Sequence, residues 1–266
     1  LWLGYNGSMP EAYTMRHLFN FLLFYISVFF FFLIVKNRFD SFGLGLMASL
    51  FYILSPRIFA DSFYGKDVVF LSLLTIAVYF FINHLKRKTV ASALLFALAT
   101  ALVVDQRITG IFIPFLAVLM MGIDAVKQDH PLHHLWQKIL PLFVYLVSFF
   151  IFMVIFWPYL WENPVVHFID AFTVMKKYAV FSYDVFYLGE FIKSTAVPWH
   201  YIPVWIMMTT PLIYIFFFLL GMIVVIKSII KNRIALYSNE NEQQDFLFLL
   251  LFMVPLVAVI YFNSAL

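Results

Sequence analysis

The sequence predicts an all-α, polytopic bundle of transmembrane helices, and three observations carry that prediction. Of its 266 residues, 64% are hydrophobic and 12% are charged, whereas a soluble domain is nearer one half apolar. The apolar residues gather into eight runs, close to the roughly 17–25 residues that a helix needs to cross a bilayer. The charged residues collect in the gaps between those runs, as expected when an ionisable group at membrane depth is costly. With no cysteine, disulfides and thiolate metal sites are excluded. A formal charge of +3 gives no argument for a nucleic-acid partner.

In chain order the predicted spans cover about 17–35, 42–57, 68–84, 89–104, 109–123, 140–157, 202–226 and 246–262. The first contains Phe29 to Phe32, a run expected to face lipid. Pro56 ends or kinks the second. The third follows directly on Lys66-Asp67. The fourth and fifth are short, with room only for a tight turn at Asp105-Gln106-Arg107, so they read either as two spans or as a re-entrant pair. Asp124 to Leu140 mixes apolar and basic residues and is expected on the membrane surface.

Residues 158–201 form a large loop. Within it, Asn163-Pro164 joins a capping residue to a proline at the first helical position. Val165, Phe168, Ile169 and Phe172 then recur at helical spacing, which predicts a short helix in the interface plane. The tryptophans and tyrosines of this loop read as an aromatic belt or as a wall that binds sugar or polyprenol. Residues 1–266 are otherwise expected to form a single transmembrane domain. Leu1 is not an initiator methionine and the end carries no terminal signature, so the chain is expected to be a fragment cut at both ends.

Charge orients the bundle. Alternate gaps, beginning with Lys36 and Arg38, hold ten basic and six acidic residues; the other gaps hold seven basic and eight acidic. The positive-inside rule makes the first set cytoplasmic. Three charged constellations then fall on the outer side. Lys66-Asp67 opens a span, where the helix dipole favours the carboxylate but not the cation; Asp67 as a plain helix cap is the structural alternative. Arg107 offers planar, paired donors suited to phosphate, with Gly110 allowing close approach of the backbone; an Asp105–Arg107 pair that neutralises itself is the alternative there. Glu190 and His200 share the large loop with His167, and each histidine also has a purely structural reading. On the other side, His130, His133 and His134 resemble metal ligands but have no carboxylate at useful spacing except Asp129.

Together, Arg16 to Asn20, Ser55 to Asp67, Asp105 to Gly110, Trp157 to Pro164, Gly189-Glu190-Phe191 and Val197 to Pro211 resemble the bacterial polyprenol-phosphate-sugar glycosyltransferases. These are relatives of the dolichyl-phosphate-mannose protein mannosyltransferases and the lipid A aminoarabinose transferases. The resemblance implies the C-type glycosyltransferase fold in a bacterial inner membrane, with the active site facing the periplasm. It implies transfer of a mannose-like sugar from a polyprenyl-monophosphate carrier to a glycan, lipid or protein acceptor. By that resemblance Asp67 matches a functional acid at the start of a span and Arg107 a basic position associated with the carrier phosphate, with Lys66 kept beside Asp67. Asp67 is read as the catalytic candidate, Lys66, Arg107, Arg16 and His17 as substrate-binding candidates, and Glu190 and His200 as candidates for acceptor or metal contact. The principal acid of the family lies ahead of Arg16, where this chain offers Glu11. The family has an Asn-Pro-Lys-Asp-like stretch where this chain has Tyr64-Gly65-Lys66-Asp67, so the turn differs. A divalent metal is left open, and a polytopic transporter or lipid flippase is the reading from a different class.

Overall fold

The computed structural model describes residues 10–62, 66–127, 135–176, 184–194 and 196–261, with side chains described from 13 rather than 10, from 140 rather than 135, and to 174 rather than 176. Among the described residues, eleven α-helices and one hairpin run in the order α1 (Pro10–Phe39), α2 (Phe42–Leu54), α3 (Pro56–Asp61), α4 (Lys66–Arg87), α5 (Val90–Gln106), α6 (Phe112–Lys127), α7 (Leu135–Phe156), α8 (Pro164–Lys176), β1 (Asp184–Tyr187), β2 (Glu190–Lys193), α9 (Tyr201–Thr209), α10 (Leu212–Asn232) and α11 (Glu240–Tyr261). Five described stretches are long and apolar enough to cross a bilayer: Tyr13–Phe39, Lys66–Arg87, Ile108–Lys127, Leu212–Ala235 and Glu240–Tyr261. The protein is a helical, multi-pass membrane protein.

Prolines correct two of the predicted runs. The run at 42–57 divides at Ser55, whose extended backbone (ψ 115°) is what a following proline imposes, and Pro56 starts α3 rather than kinking α2. The 13 residues of α2 rise only about 20 Å, short of the ~30 Å hydrocarbon core. The run at 202–226 breaks at Thr210-Pro211 for the same reason, with Thr210 at ψ 130°. The span there begins at Leu212 and extends to Ala235.

Contacts divide the chain into two compact units, one formed by Leu1–Ile111 with His130–Pro158 and the other by Phe112–Asp129 with Tyr159–Leu266. In the first unit, α1 packs on α2 and α4, and α5 packs on α4 and α7. Its centre is a column of near-parallel rings. Phe96 lies 4.6 Å from Phe81 and 4.3 Å from Tyr145, with interplanar angles of 15° and 10°. The Tyr145 hydroxyl donates to Thr100 at 3.4 Å. Only Lys88 and Thr89 separate α4 from α5. Lys88 takes a left-handed φ of 50°, and Thr89 with Ser92 closes a capping box on the first turn of α5. So short a link makes the two helices antiparallel neighbours, which sets the start of α4 beside the end of α5.

In the second unit, α11 packs on α6 and α10. Asp124 of α6 accepts from the Tyr237 hydroxyl at 2.6 Å and from Gln243 Nε2 at 2.9 Å. Lys127 Nζ donates to the Tyr237 carbonyl at 2.7 Å. Burial, and then the adjacent Asp124 carboxylate, push the Tyr237 hydroxyl above the ordinary tyrosine range, so it remains a donor. Hydrogen bonds to charged groups contribute roughly 1.5–3 kcal/mol. Tyr237→Phe should therefore lower the unfolding midpoint in detergent by an amount equivalent to at least ~1.5 kcal/mol, while an unmoved midpoint would show that this link from α6 to the segment before α11 is not structural.

The 158–201 loop carries one predicted helix and one unpredicted hairpin. The helix after Asn163 is present as α8, and Asn163 Oδ1 accepts from Val166 N at 3.4 Å. The all-α expectation needs one exception, because β1 and β2 form an antiparallel hairpin with Phe186 opposite Phe191 and Tyr187 opposite Glu190. Its two-residue turn, Leu188-Gly189, has φ of 50° and 95°, a mirror-image turn whose twist suits a hairpin.

Candidate functional site

The two charged positions separated by forty residues meet. Arg107 Nη2 donates to Asp67 Oδ1 in an ion pair, and the guanidinium carbon lies 5.9 Å from the centre of the Phe70 ring, one turn along α4 from Asp67. Asp67 is the second residue of α4, so its carboxylate also lies where the helix dipole favours an anion. Among the described residues Arg107 pairs with Asp67, and there is no Asp105–Arg107 pair.

Backbone geometry pins Arg107 from both sides. It terminates α5 in an extended conformation, φ −149° and ψ 126°, and its N–H donates to the Val103 carbonyl at 3.0 Å. Its own carbonyl accepts from Gly110 N at 2.8 Å, which closes a short 3-10 turn over Ile108–Ile111. Gly110 is needed here because a Cβ would stand 2.7 Å from a Val103 methyl and 3.2 Å from the Val103 carbonyl. Gly110→Ala should cost about 1–3 kcal/mol of stability, the usual cost of overpacking, and should disturb Arg107 with it. The observable is the unfolding midpoint in detergent, which should fall by that amount; an unmoved midpoint would detach Gly110 from the turn that holds Arg107.

Exposure argues that this ion pair does little for the fold. The Arg107 and Asp67 side chains are 43% and 64% exposed, and an exposed pair contributes a median of about 0–1 kcal/mol. The guanidinium uses Nη2 toward Asp67, which leaves other donors of its planar fork open to an anion. An exposed cation with donors to spare, held rigidly beside a carboxylate, can bind a phosphate with the arginine while the acid contacts a hydroxyl.

The remaining predicted residues are placed more loosely. Lys66 opens α4 and is exposed; no ion pair of it is present among the described residues. Arg16 lies over the Tyr13 ring at 5.0 Å, and His17 is 6.5 Å from the same ring, a cluster local to α1. The Glu11 side chain and His130, His133 and His134 lie outside the described residues. In the second unit, Glu190 is the cross-strand partner of Tyr187, and the His200 ring lies 5.9 Å from the Tyr187 ring. Tyr187, which links the two, escaped the sequence reading; its ring is buried and its hydroxyl has no partner among the described residues. The glycine two residues after it, with aromatics on either side, was the signal for the turn.

His167 has a structural role. Its Nδ1 is 2.5 Å from the Tyr159 carbonyl and its ring stacks on Tyr159 at 4.6 Å. No group of three or more metal-ligating side chains occurs among the described residues. Compared with family models, with curated proteins and with solved structures, the chain finds no match.

Proposed function

We propose that this protein is a membrane glycosyltransferase of the C-type architecture, moving a sugar from a polyprenyl monophosphate to an acceptor on the outer face. The observation that carries the reading is the exposed Arg107–Asp67 pair, built from the start of α4 and the end of α5. Sugar transfer requires stabilisation of the departing phosphate and a carboxylate near the attacking hydroxyl. Arg107 holds the phosphate, Lys66 adds positive charge at the same helix end, and Asp67 orients the acceptor or its base. Arg16 and His17 are proposed as further substrate contacts. In the second unit, Glu190 and His200 around Tyr187 are proposed as a separate substrate contact.

The transporter reading gains little from the break at Thr210-Pro211. A broken helix marks a transport site when the break lies near the bilayer midplane. The 24-residue stretch Leu212–Ala235 alone rises about 36 Å, enough to cross without α9, so the break lies at an end of that crossing.

Orientation is tested by single cysteines in this cysteine-free chain. Lys193 and Ile234 are both exposed, and alternation with the basic excess puts them on opposite sides. In sealed right-side-out vesicles, an impermeant thiol reagent should label Lys193→Cys and spare Ile234→Cys. Labelling of Ile234→Cys alone would invert the topology, and with it the outward-facing site.

A further inference from the structure

The hairpin of the second unit exposes three large apolar side chains around its turn, with the Glu190 carboxylate beside them. Phe186 and Phe191 are cross-strand partners with ring centres 5.2 Å apart, so they share one face. They are 58% and 75% exposed, and Leu188 at the turn is 68% exposed. A two-residue turn with positive φ at both positions favours Asn-Gly or Asp-Gly. Leucine at φ 50° is disfavoured by its backbone and again by its exposure.

The surroundings of the hairpin identify what covers the tip. Tyr187 points to the other face and packs against Tyr201 at 5.0 Å and His200 at 5.9 Å. Tyr201 opens α9, which has no charged residue and exposes Trp205, Met207 and Met208. After Thr210-Pro211 comes α10, whose candidate span has no buried residue and exposes Leu212, Ile213, Phe216 and Phe217. Apolar helices exposed in this way are covered by lipid. The face opposite the tip thus packs, through Tyr187 and Tyr201, on helices exposed as lipid-facing helices are, which places the hairpin beside a membrane-facing surface. At the open end of the hairpin, Asp184 faces Lys193 across the strands, a charged pair suited to water or headgroups.

We propose that the tip formed by Phe186, Leu188 and Phe191 is a membrane anchor, inserted into the boundary between lipid headgroups and acyl chains beside α9. The proposal rests on the membrane character of the chain and not on sugar transfer, so loss of either leaves the other standing.

The test labels Leu188→Cys or Lys193→Cys with an environment-sensitive fluorophore in protein reconstituted into phosphatidylcholine vesicles. Lipid carrying a spin label near the glycerol region should quench the dye at 188 at least about twofold more than the dye at 193, by contact at the depth an interfacial segment occupies. Aqueous iodide should show the reverse order. Because the dye is itself apolar, the measurement at 188 is repeated with Phe186→Ser and Phe191→Ser, where lipid quenching should fall to the level at 193. Iodide quenching at 188 equal to that at 193 would overturn the anchor. Protection at 188 from iodide and lipid alike would overturn it in favour of a covering protein. Persistent lipid quenching in the doubly substituted hairpin would overturn it, because Phe186 and Phe191 would not be what holds the tip in the bilayer.

Discussion

Arg107→Ala is expected to weaken binding of a polyprenyl-phosphate sugar roughly 10- to 150-fold. That range is the loss of a charge-assisted hydrogen bond of about 1.5–3 kcal/mol, converted at ~1.4 kcal/mol per factor of ten. The argument is that the phosphate meets the guanidinium fork in both the bound donor and the transition state, so affinity and turnover per free donor fall together. Arg107→Lys should recover only part, because an ammonium is a point charge without the planar fork. Asp67→Asn keeps the size of the side chain and should leave donor affinity largely intact while lowering turnover. The assay is transfer at varied donor concentration for each variant. Full activity of both Arg107→Ala and Asp67→Asn would take the pair out of the mechanism.

The second large effect is on stability. Phe96 is fully buried between Phe81 and Tyr145, and Phe96→Ala opens a cavity of about 100 Å³, which at ~24 cal/mol per Å³ costs on the order of 2–3 kcal/mol. Burial against lipid adds little to that figure, because helix packing in a bilayer is driven mainly by van der Waals contact rather than by expulsion of water. Phe96→Leu should recover roughly half the loss. The check is the unfolding midpoint in a mixed-micelle denaturant titration. A midpoint within about 0.5 kcal/mol of the unsubstituted protein, as for a bland surface change, would mean that the ring column does not bind α4, α5 and α7 together.

The Asp67–Arg107 encounter was legible because a short link between consecutive apolar helices leaves one arrangement. The 22 residues of α4 and the 17 of α5 return the chain to the end it left, about forty residues later. Gly110 was legible only as a glycine in a tight turn; that its missing side chain makes room for Val103 of α5 was not. Two elements escaped. Leu188-Gly189 carries none of the asparagine or aspartate that announces a hairpin, and a leucine in the left-handed region is the opposite of a turn signal. The division of 202–226 was written in Pro211, but the apolar residues on both sides outweighed it in a reading based on hydropathy. The choice of Asp67 over the nearer Asp105 lay beyond sequence pattern, because it follows from how the end of α5 meets α4 across the packed pair.

The central claim, that the protein cleaves the bond between a sugar and a polyprenyl phosphate, is tested by following that bond. Protein reconstituted in vesicles is given polyprenyl-phosphate mannose labelled in the sugar, with a membrane extract supplying acceptors, and both the chemical state and the sidedness of the label are measured. The account predicts release of free polyprenyl phosphate with label passing to acceptor, abolished by the double substitution Asp67→Asn, Arg107→Ala. Intact donor appearing on the opposite leaflet, with no bond cleaved, would contradict it and make the protein a lipid-linked sugar transporter.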